Sequence, residues 1–112
     1  FMTRELLPAV EARYPVVRDR SGRAITGLSM GGFGAMSLAI KHKGLFGAAG
    51  STSGGLDIRP FSQNWEIPQL LGEITEHPEA WEEATPINLI PQLGNGDLAI
   101  VFDCGYDDFF FE

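Results

Sequence analysis

The chain has 112 residues, of which 44% are hydrophobic and twelve aromatic (eight Phe, two Trp and two Tyr), so it forms at most one globular domain. Fifteen acidic residues against eight basic ones give a net charge of −7, which argues against nucleic acid and anionic lipid surfaces as partners. No apolar run approaches the roughly 18 residues that a membrane-spanning helix needs.

The first part of the chain predicts a helix and then a strand. Residues 2–14 carry apolar side chains at four-residue spacing with charged residues mostly on the other side, and Pro15 ends the pattern. Residues 16–22 are polar and turn-like. Residues 23–28 are short and largely apolar, which is typical of a parallel strand covered on both faces.

A second helix and a second strand follow. Residues 31–43 show helical spacing with three cationic residues in the last turn, and residues 45–50 predict another buried strand. Small residues at Gly32, Gly34 and Ala35 predict that the helix packs closely on the strands. Together these segments indicate a βαβ unit, and hence an α/β fold with a parallel sheet.

The segment 51–97 predicts a cap-like excursion from the sheet. It begins with a Ser- and Gly-rich loop, then shows helical patterns, and ends at a glycine-rich turn; the predicted helices cover residues 65–72, 78–84 and 85–93. Trp65 and Trp81 in this excursion fit the core and a pocket lining equally well. Residues 98–102 predict a third buried strand, followed by a polar turn at 103–109, where open α/β sheets place ligands.

The chemistry is expected at the turn Gly27-Leu28-Ser29-Met30-Gly31, where an apolar strand passes through Gly-x-Ser-x-Gly into a helix. This arrangement holds a serine on a strained bend as a catalytic nucleophile. The backbone N–H of Met30 would point at the oxyanion. Side chains at Gly27 and Gly31 would collide with the tight turn, so both positions require glycine.

A serine nucleophile needs a base, and the chain has two histidines. His42 lies thirteen residues after Ser29 along the predicted helix, about 20 Å away at 1.5 Å per residue, and it fits a cation at the helix end. His77 lies in the excursion and would give the order Ser, His, Asp, whereas this class of fold has the order Ser, Asp or Glu, His. Neither histidine is expected to serve.

The carboxylate that orients the base should follow a strand located after the nucleophile. Asp103, Asp107 and Asp108 all meet this condition, Asp57 is a weaker rival, and Asp97 lies at the wrong end of its strand. The three aspartates of the turn lack the alternating spacing of a calcium loop, so no metal is predicted. Cys104 lies among them in an apolar strand pattern and cannot form an internal disulfide, which predicts a small core residue.

These motifs resemble the esterase-D-like branch of the α/β-hydrolases, which includes S-formylglutathione hydrolases, tributyrin-type esterases, feruloyl and acetylxylan esterases, and mycolyltransferases. The nucleophile segment is similar over residues 27–35, the stretch Thr85-Pro86-Ile87-Asn88 is similar to a Ser-Pro-x-Asn motif, and residues 105–110 are similar to the acid loop. In that loop the resemblance implies that Asp108 is the catalytic acid.

The resemblance implies that residues 1–112 are the central portion of an α/β-hydrolase domain, incomplete at both ends. The strands and second oxyanion donor expected in front, and the histidine loop expected behind, would lie elsewhere. It implies a serine carboxylesterase without cofactor, acting on small-molecule esters or thioesters through an acyl-enzyme and inactive as this chain alone. Acyl transfer and a non-catalytic module are the alternatives. An incomplete sheet would associate with the rest of its domain or form a homo-oligomer.

Overall fold

Residues 1–111, the part of the chain that the computed structural model describes, form a three-stranded parallel sheet and five α-helices. The strands, in the spatial order β1-β2-β3, are β1 (Ala24–Leu28), β2 (Ala48–Thr52) and β3 (Ala99–Asp103). The helices are α1 (Leu7–Arg13), α2 (Met30–Lys41), α3 (Ile67–Leu71), α4 (Pro78–Ala84) and α5 (Pro86–Leu89). The predicted α/β class and the βαβ unit are confirmed.

Helix α2 covers one face of the sheet and builds the core there. Ile25, Ala49 and Ile100 are neighbours across the three strands and share this face. Met36 and Ala39 of α2 pack against them together with Phe46, and all of these α2 and loop side chains are at most 6% exposed. Burial of these apolar side chains holds α2, and therefore its first turn, at a fixed height above the strand ends.

The other face of the sheet is open in the described residues, so the prediction of strands covered on both faces is wrong for this part of the chain. Leu28 is 67% exposed and Val101 is 73% exposed. Their side chains alternate with those that face α2, because successive residues of a strand point to opposite faces. The apolar composition that suggested two covered faces is present, but no described segment packs on the second one.

The predicted helix over residues 2–14 divides into two parts. A π-helical turn over Met2–Leu6 precedes α1, and both Glu5 and Leu6 donate their N–H to the carbonyl of Phe1. Pro8, at the start of α1, has no N–H to donate, so a regular helical ladder cannot pass through it. The helix joins the sheet through a bidentate ion pair, since Arg23 next to β1 contacts the Glu11 carboxylate at 2.5 and 2.9 Å.

The excursion between β2 and β3 packs on the domain through its own small core. Trp81 is fully buried and its Nε1 donates to the carbonyl of Gly72 at 2.9 Å, so it is a core residue. Thr85, also fully buried, donates its hydroxyl to the carbonyl of Trp81 at 2.6 Å. A further bond of 3.0 Å joins Ile87 N–H to Leu56, and α5 lies against α2.

The excursion also departs from the predicted helix boundaries. The helix expected over 85–93 ends as α5 at Leu89, and a 3-10 turn over Ile90–Gln92 continues it. Pro91 within that turn cannot donate the next helical hydrogen bond, which explains the change. In the described part of the chain no helix is both long and apolar enough to cross a membrane.

Candidate active site

Ser29 lies on the sharp turn between β1 and α2. Its φ of 56° and ψ of −117° are a conformation that residues with a side chain rarely adopt. Its N–H donates to the carbonyl of Thr52 at the end of β2, at 2.9 Å, which fixes the turn against the neighbouring strand. The residue is exposed and its hydroxyl makes no capping bond to α2. Strained backbone conformations of this kind cluster at functional sites, which makes Ser29 a candidate site residue.

The first turn of α2 supplies hydrogen-bond donors beside Ser29. Met30 is the first residue of this helix, so its N–H has no acceptor within the helix, while the Ser29 carbonyl accepts from Phe33 at 3.1 Å. The N-terminal end of the helix also carries a partial positive charge. The Met30 side chain is 82% exposed. The backbone N–H of Met30 is therefore a donor without a helical acceptor next to Ser29.

The two glycines of the Gly-x-Ser-x-Gly turn differ in their surroundings. A Cβ at Gly27 would lie 2.7 Å from the Cα of Gly31 and closer still to its carbonyl group, which are backbone atoms that cannot turn away. A Cβ at Gly31 would meet nothing within 4 Å among the described residues, so the expected collision at this position is wrong. Gly31 belongs to α2 and has a negative φ, as in an ordinary helix. The crowding in this turn therefore requires glycine on the strand side, at Gly27, and not at Gly31.

Close packing beneath the turn involves Gly32 but not Gly34. A Cβ at Gly32 would lie 2.5 Å from the Ser51 hydroxyl oxygen and 3.1 Å from the Cα of Gly54. A Cβ at Gly34 would meet nothing within 4 Å, so the expectation of a close approach there is wrong. The Ser51 hydroxyl is buried without a hydrogen-bond partner among the described residues, and sequence patterns gave no signal for it.

The three aspartates after β3 differ in burial and in hydrogen bonding. Asp108 is partly buried, and its Oδ1 accepts the N–H of Phe110 at 2.9 Å. Its own N–H donates to Gly105 at 3.0 Å, so the residue is held on both sides by backbone bonds. Asp107 is exposed, and Asp103 is exposed with a bond of 3.3 Å from the Thr52 hydroxyl. Asp108 is thus the most firmly oriented carboxylate of the turn.

The two other aspartates weighed from the sequence are committed to ion pairs. Arg59 holds Asp57 through bonds of 2.8 and 2.6 Å, and its guanidinium lowers the pKa of that carboxyl. Asp97 lies at the opposite edge of the sheet, where its carboxylate accepts from the N–H of Gly94 at 2.8 Å and from Lys43 at 3.1 Å; these bonds lower its pKa. Both carboxylates are already neutralised by other groups.

Cys104 lies just beyond β3 and is partly buried, so it is not the core strand residue that the pattern predicted. Burial raises the pKa of its thiol, and the negative charges of Asp108 and Asp103 raise it further. A thiol with a raised pKa carries little thiolate at neutral pH, which makes it a poor nucleophile.

Neither histidine contacts Ser29. His42 caps the carboxyl end of α2 and donates its N–H to Leu38 at 2.9 Å, at the far end of the helix that begins beside Ser29. His77 precedes α4, is exposed, and lies with its ring against Gly72. In the described part of the chain, no hydrogen bond links either imidazole ring to Ser29 or Asp108.

Two cavities lie beside the acid loop, and neither is lined by Ser29 or Asp108. One, of about 260 Å³, is lined by Ser51, Phe102 and Cys104 among others. The second, of about 320 Å³, lies between the excursion and the acid loop and is lined by Phe61, Phe109 and Phe110 among others. Residues 1–111 contain no cluster of three or more His, Cys, Asp or Glu side chains able to hold a metal ion.

A strained serine between a parallel strand and a helix, with an oriented aspartate two strands away, is the arrangement of the α/β-hydrolases. A family model described as Putative esterase matches residues 1–112. The chain belongs to this esterase family. It is also 44% identical over 59 residues to Esterase MT1326 and Esterase Rv1288 of Mycobacterium tuberculosis, an alignment that covers 53% of this chain and 13% of each relative.

Solved structures agree with this assignment of the fold. A ferulic acid esterase is 28% identical to the chain and superposes with a TM-score of 0.73; the superposition covers 98% of this chain and 42% of the esterase chain. An S-formylglutathione hydrolase from Agrobacterium tumefaciens is 19% identical and superposes with a TM-score of 0.67, covering 98% of this chain and 50% of its own. The chain therefore spans half or less of the length of these proteins.

Proposed function

We propose that this chain carries the nucleophile and the acid of a serine carboxylesterase that hydrolyses small-molecule esters or thioesters. The observation that supports this most strongly is Ser29, whose strained backbone at the start of α2 leaves its hydroxyl exposed and uncommitted. Membership of the esterase family and the 28% identity to a ferulic acid esterase support the same reaction.

In this proposal the Ser29 hydroxyl oxygen attacks the acyl carbonyl carbon while a base removes its proton. The Met30 N–H donates to the oxyanion of the tetrahedral intermediate. Expulsion of the alcohol, which takes up the proton, leaves an acyl group on Ser29. Water then attacks this ester and releases the acid. Asp108 orients the base, which we assign to a histidine outside residues 1–111, and no cofactor takes part.

The test is hydrolysis of a short-chain nitrophenyl ester by the full-length protein and by its Ser29→Ala variant. The turnover number should fall on the order of 10⁶-fold in the variant. Ser21→Ala is the matched control, since Ser21 lies in the turn before β1, at the opposite end of that strand, and should leave turnover unchanged. Equal turnover by the Ser29→Ala variant would refute the nucleophile assignment.

Two other functions are outcomes of the same experiment. A full-length protein that releases nitrophenol but passes the acyl group to an added alcohol would be an acyltransferase. A folded full-length protein with no turnover of any short-chain ester would be a non-catalytic module. A segment 1–112 that is inert by itself, in a full-length protein that is active, agrees with a base located outside it.

A further inference from the structure

Four aromatic rings connect the excursion to the acid loop, and we call them the aromatic clamp: Phe61, Trp65, Phe109 and Phe110. The Trp65 ring lies 5.7 Å from that of Phe109 and 5.6 Å from that of Phe110, measured between centroids. Phe61 lies 5.1 Å from Phe110 in an edge-to-face arrangement. These separations are those of attractive aromatic pairs. The clamp thus joins two segments that are more than 40 residues apart in the sequence.

The backbone that carries the Trp65 ring is strained. Trp65 and the following Glu66 have φ values of 52° and 60°, in the left-handed region that favours glycine. Two such residues in succession are unfavourable and persist only where the surroundings impose them. Glu66 precedes α3 without a side-chain capping bond to compensate. Trp65 is 52% exposed, and its ring lies within 5.7 Å of the rings of Phe61, Phe109 and Phe110, measured between centroids.

These ring contacts join the acid loop to the excursion. The backbone hydrogen bonds around Asp108 run to Gly105, Phe110 and Phe111, all within the loop itself. They set the local shape of the loop, but they do not fix its position relative to the rest of the domain. In the part of the chain that the structure describes, no hydrogen bond joins residues 105–111 to the excursion. The rings of Phe109 and Phe110, directly after Asp108, make that connection through the clamp.

We propose that Trp65 is a positioning residue for Asp108. It holds Phe109 and Phe110 so that the Asp108 carboxylate keeps the place from which it orients the catalytic base. This role rests on the proposed function, because it acts only if Asp108 serves the base of a Ser29 nucleophile. A displacement of about 1 Å at a catalytic group can cost on the order of 10² in rate, so loosening the loop should be felt in turnover.

The test compares Trp65→Ala and Trp65→Phe in the full-length protein, with Leu70→Ala as the control. Leu70 lies in α3 of the same excursion but is 85% exposed, so its truncation should change nothing. The turnover number should fall about 10-fold to 100-fold for Trp65→Ala, with KM within about two-fold, and should largely recover in Trp65→Phe. A carboxylate raises the pKa of a nearby imidazole, so its displacement should move the acidic limb of the turnover profile to lower pH.

A double-mutant cycle with Asp108→Asn separates a role through Asp108 from a general structural role. If Trp65 acts through Asp108, Trp65→Ala should reduce turnover less than two-fold once Asp108 is replaced. If the double variant loses turnover by the full product of the two single losses, the proposal is overturned. A raised KM with unchanged turnover would also overturn it, because Trp65 would then contact the substrate.

If Trp65→Ala does not fold, Trp65→Leu fills the site without a ring and serves in the same cycle, with thermal unfolding measured alongside. Turnover of the Ser29→Ala variant tests the proposed function independently of the cycle. Turnover that survives Ser29→Ala refutes the nucleophile and this role together. Turnover lost in Ser29→Ala but with full multiplication in the cycle refutes the role of Trp65 alone.

Discussion

Replacing Gly27 by alanine tests the geometry of the serine turn most sharply. The new Cβ would lie 2.7 Å from the Cα of Gly31, whereas ordinary van der Waals contact begins at 3.4 Å. The first turn of α2 must therefore move by at least 0.7 Å, the difference between these distances. That movement displaces the Met30 N–H from the oxyanion and disturbs the Ser29 hydroxyl. We expect turnover to fall about 10-fold to 100-fold and stability to fall by about 1–3 kcal/mol.

The assay is nitrophenyl ester hydrolysis by the full-length protein, with urea unfolding of the same preparations. Gly34→Ala is the matched control, because a Cβ there meets nothing within 4 Å in the described structure. It should keep turnover and gain up to about 1 kcal/mol from the better helix propensity of alanine. A Gly27→Ala protein with the turnover and stability of the wild type would show that the turn is not packed as described.

Two further substitutions probe groups outside the chemical step. Ser51→Ala removes a buried hydroxyl that has no described partner, so the free energy of unfolding should rise by about 1 kcal/mol in urea titrations; a loss of stability would mean that the hydroxyl is paired. Glu11→Gln removes the ion pair with Arg23. The hydrogen bond from Arg23 lowers the pKa of Glu11 below 4.5. The pair therefore stabilises the fold above pH 4.5, and this stabilisation is lost as the pH falls through the pKa of Glu11 in the folded protein. Below pH 4.5 the wild type should lose stability more steeply than the variant in thermal unfolding, and identical slopes would contradict this.

The βαβ unit around Ser29 could be predicted because its signals are local. An apolar run, a glycine-bounded serine and a helix with cationic residues in its last turn each depend on neighbouring residues only. The boundaries moved by a few residues where tertiary packing intervened. The second strand was expected over 45–50 but begins at Ala48, because Phe46 enters the core from the turn before it.

The covering of the sheet could not be predicted in the same way. Alternation along β1 and β3 is weak, so the sequence does not distinguish a strand covered on two faces from one covered on a single face. Leu28 and Val101 are apolar and exposed because coverage depends on which segments pack on the sheet. Likewise, the requirement for glycine at Gly31 followed from the motif, whereas the crowding depends on which side of the turn faces the strand.

The residues of the candidate site could be named from the sequence, but the contacts that hold the acid loop in place could not. Ser29 and Met30 follow from the Gly-x-Ser-x-Gly motif at a strand end, whereas Asp108 is singled out from Asp103 and Asp107 only by the resemblance to the esterase acid loop. The approach of Trp65 to the acid loop follows from neither, since it depends on the path of the whole excursion and on two residues with positive φ. Sequence patterns carry no signal for a left-handed backbone at tryptophan and glutamate.

The most direct test of Ser29 as the nucleophile is a covalent trap. The full-length protein is treated with a fluorophosphonate, which reacts with activated serines, then digested and analysed by mass spectrometry. We expect one stoichiometric adduct on the peptide that contains Ser29, formed with loss of esterase activity and absent from the Ser29→Ala variant. An adduct on another residue, or complete inactivation with Ser29 unmodified, would contradict this.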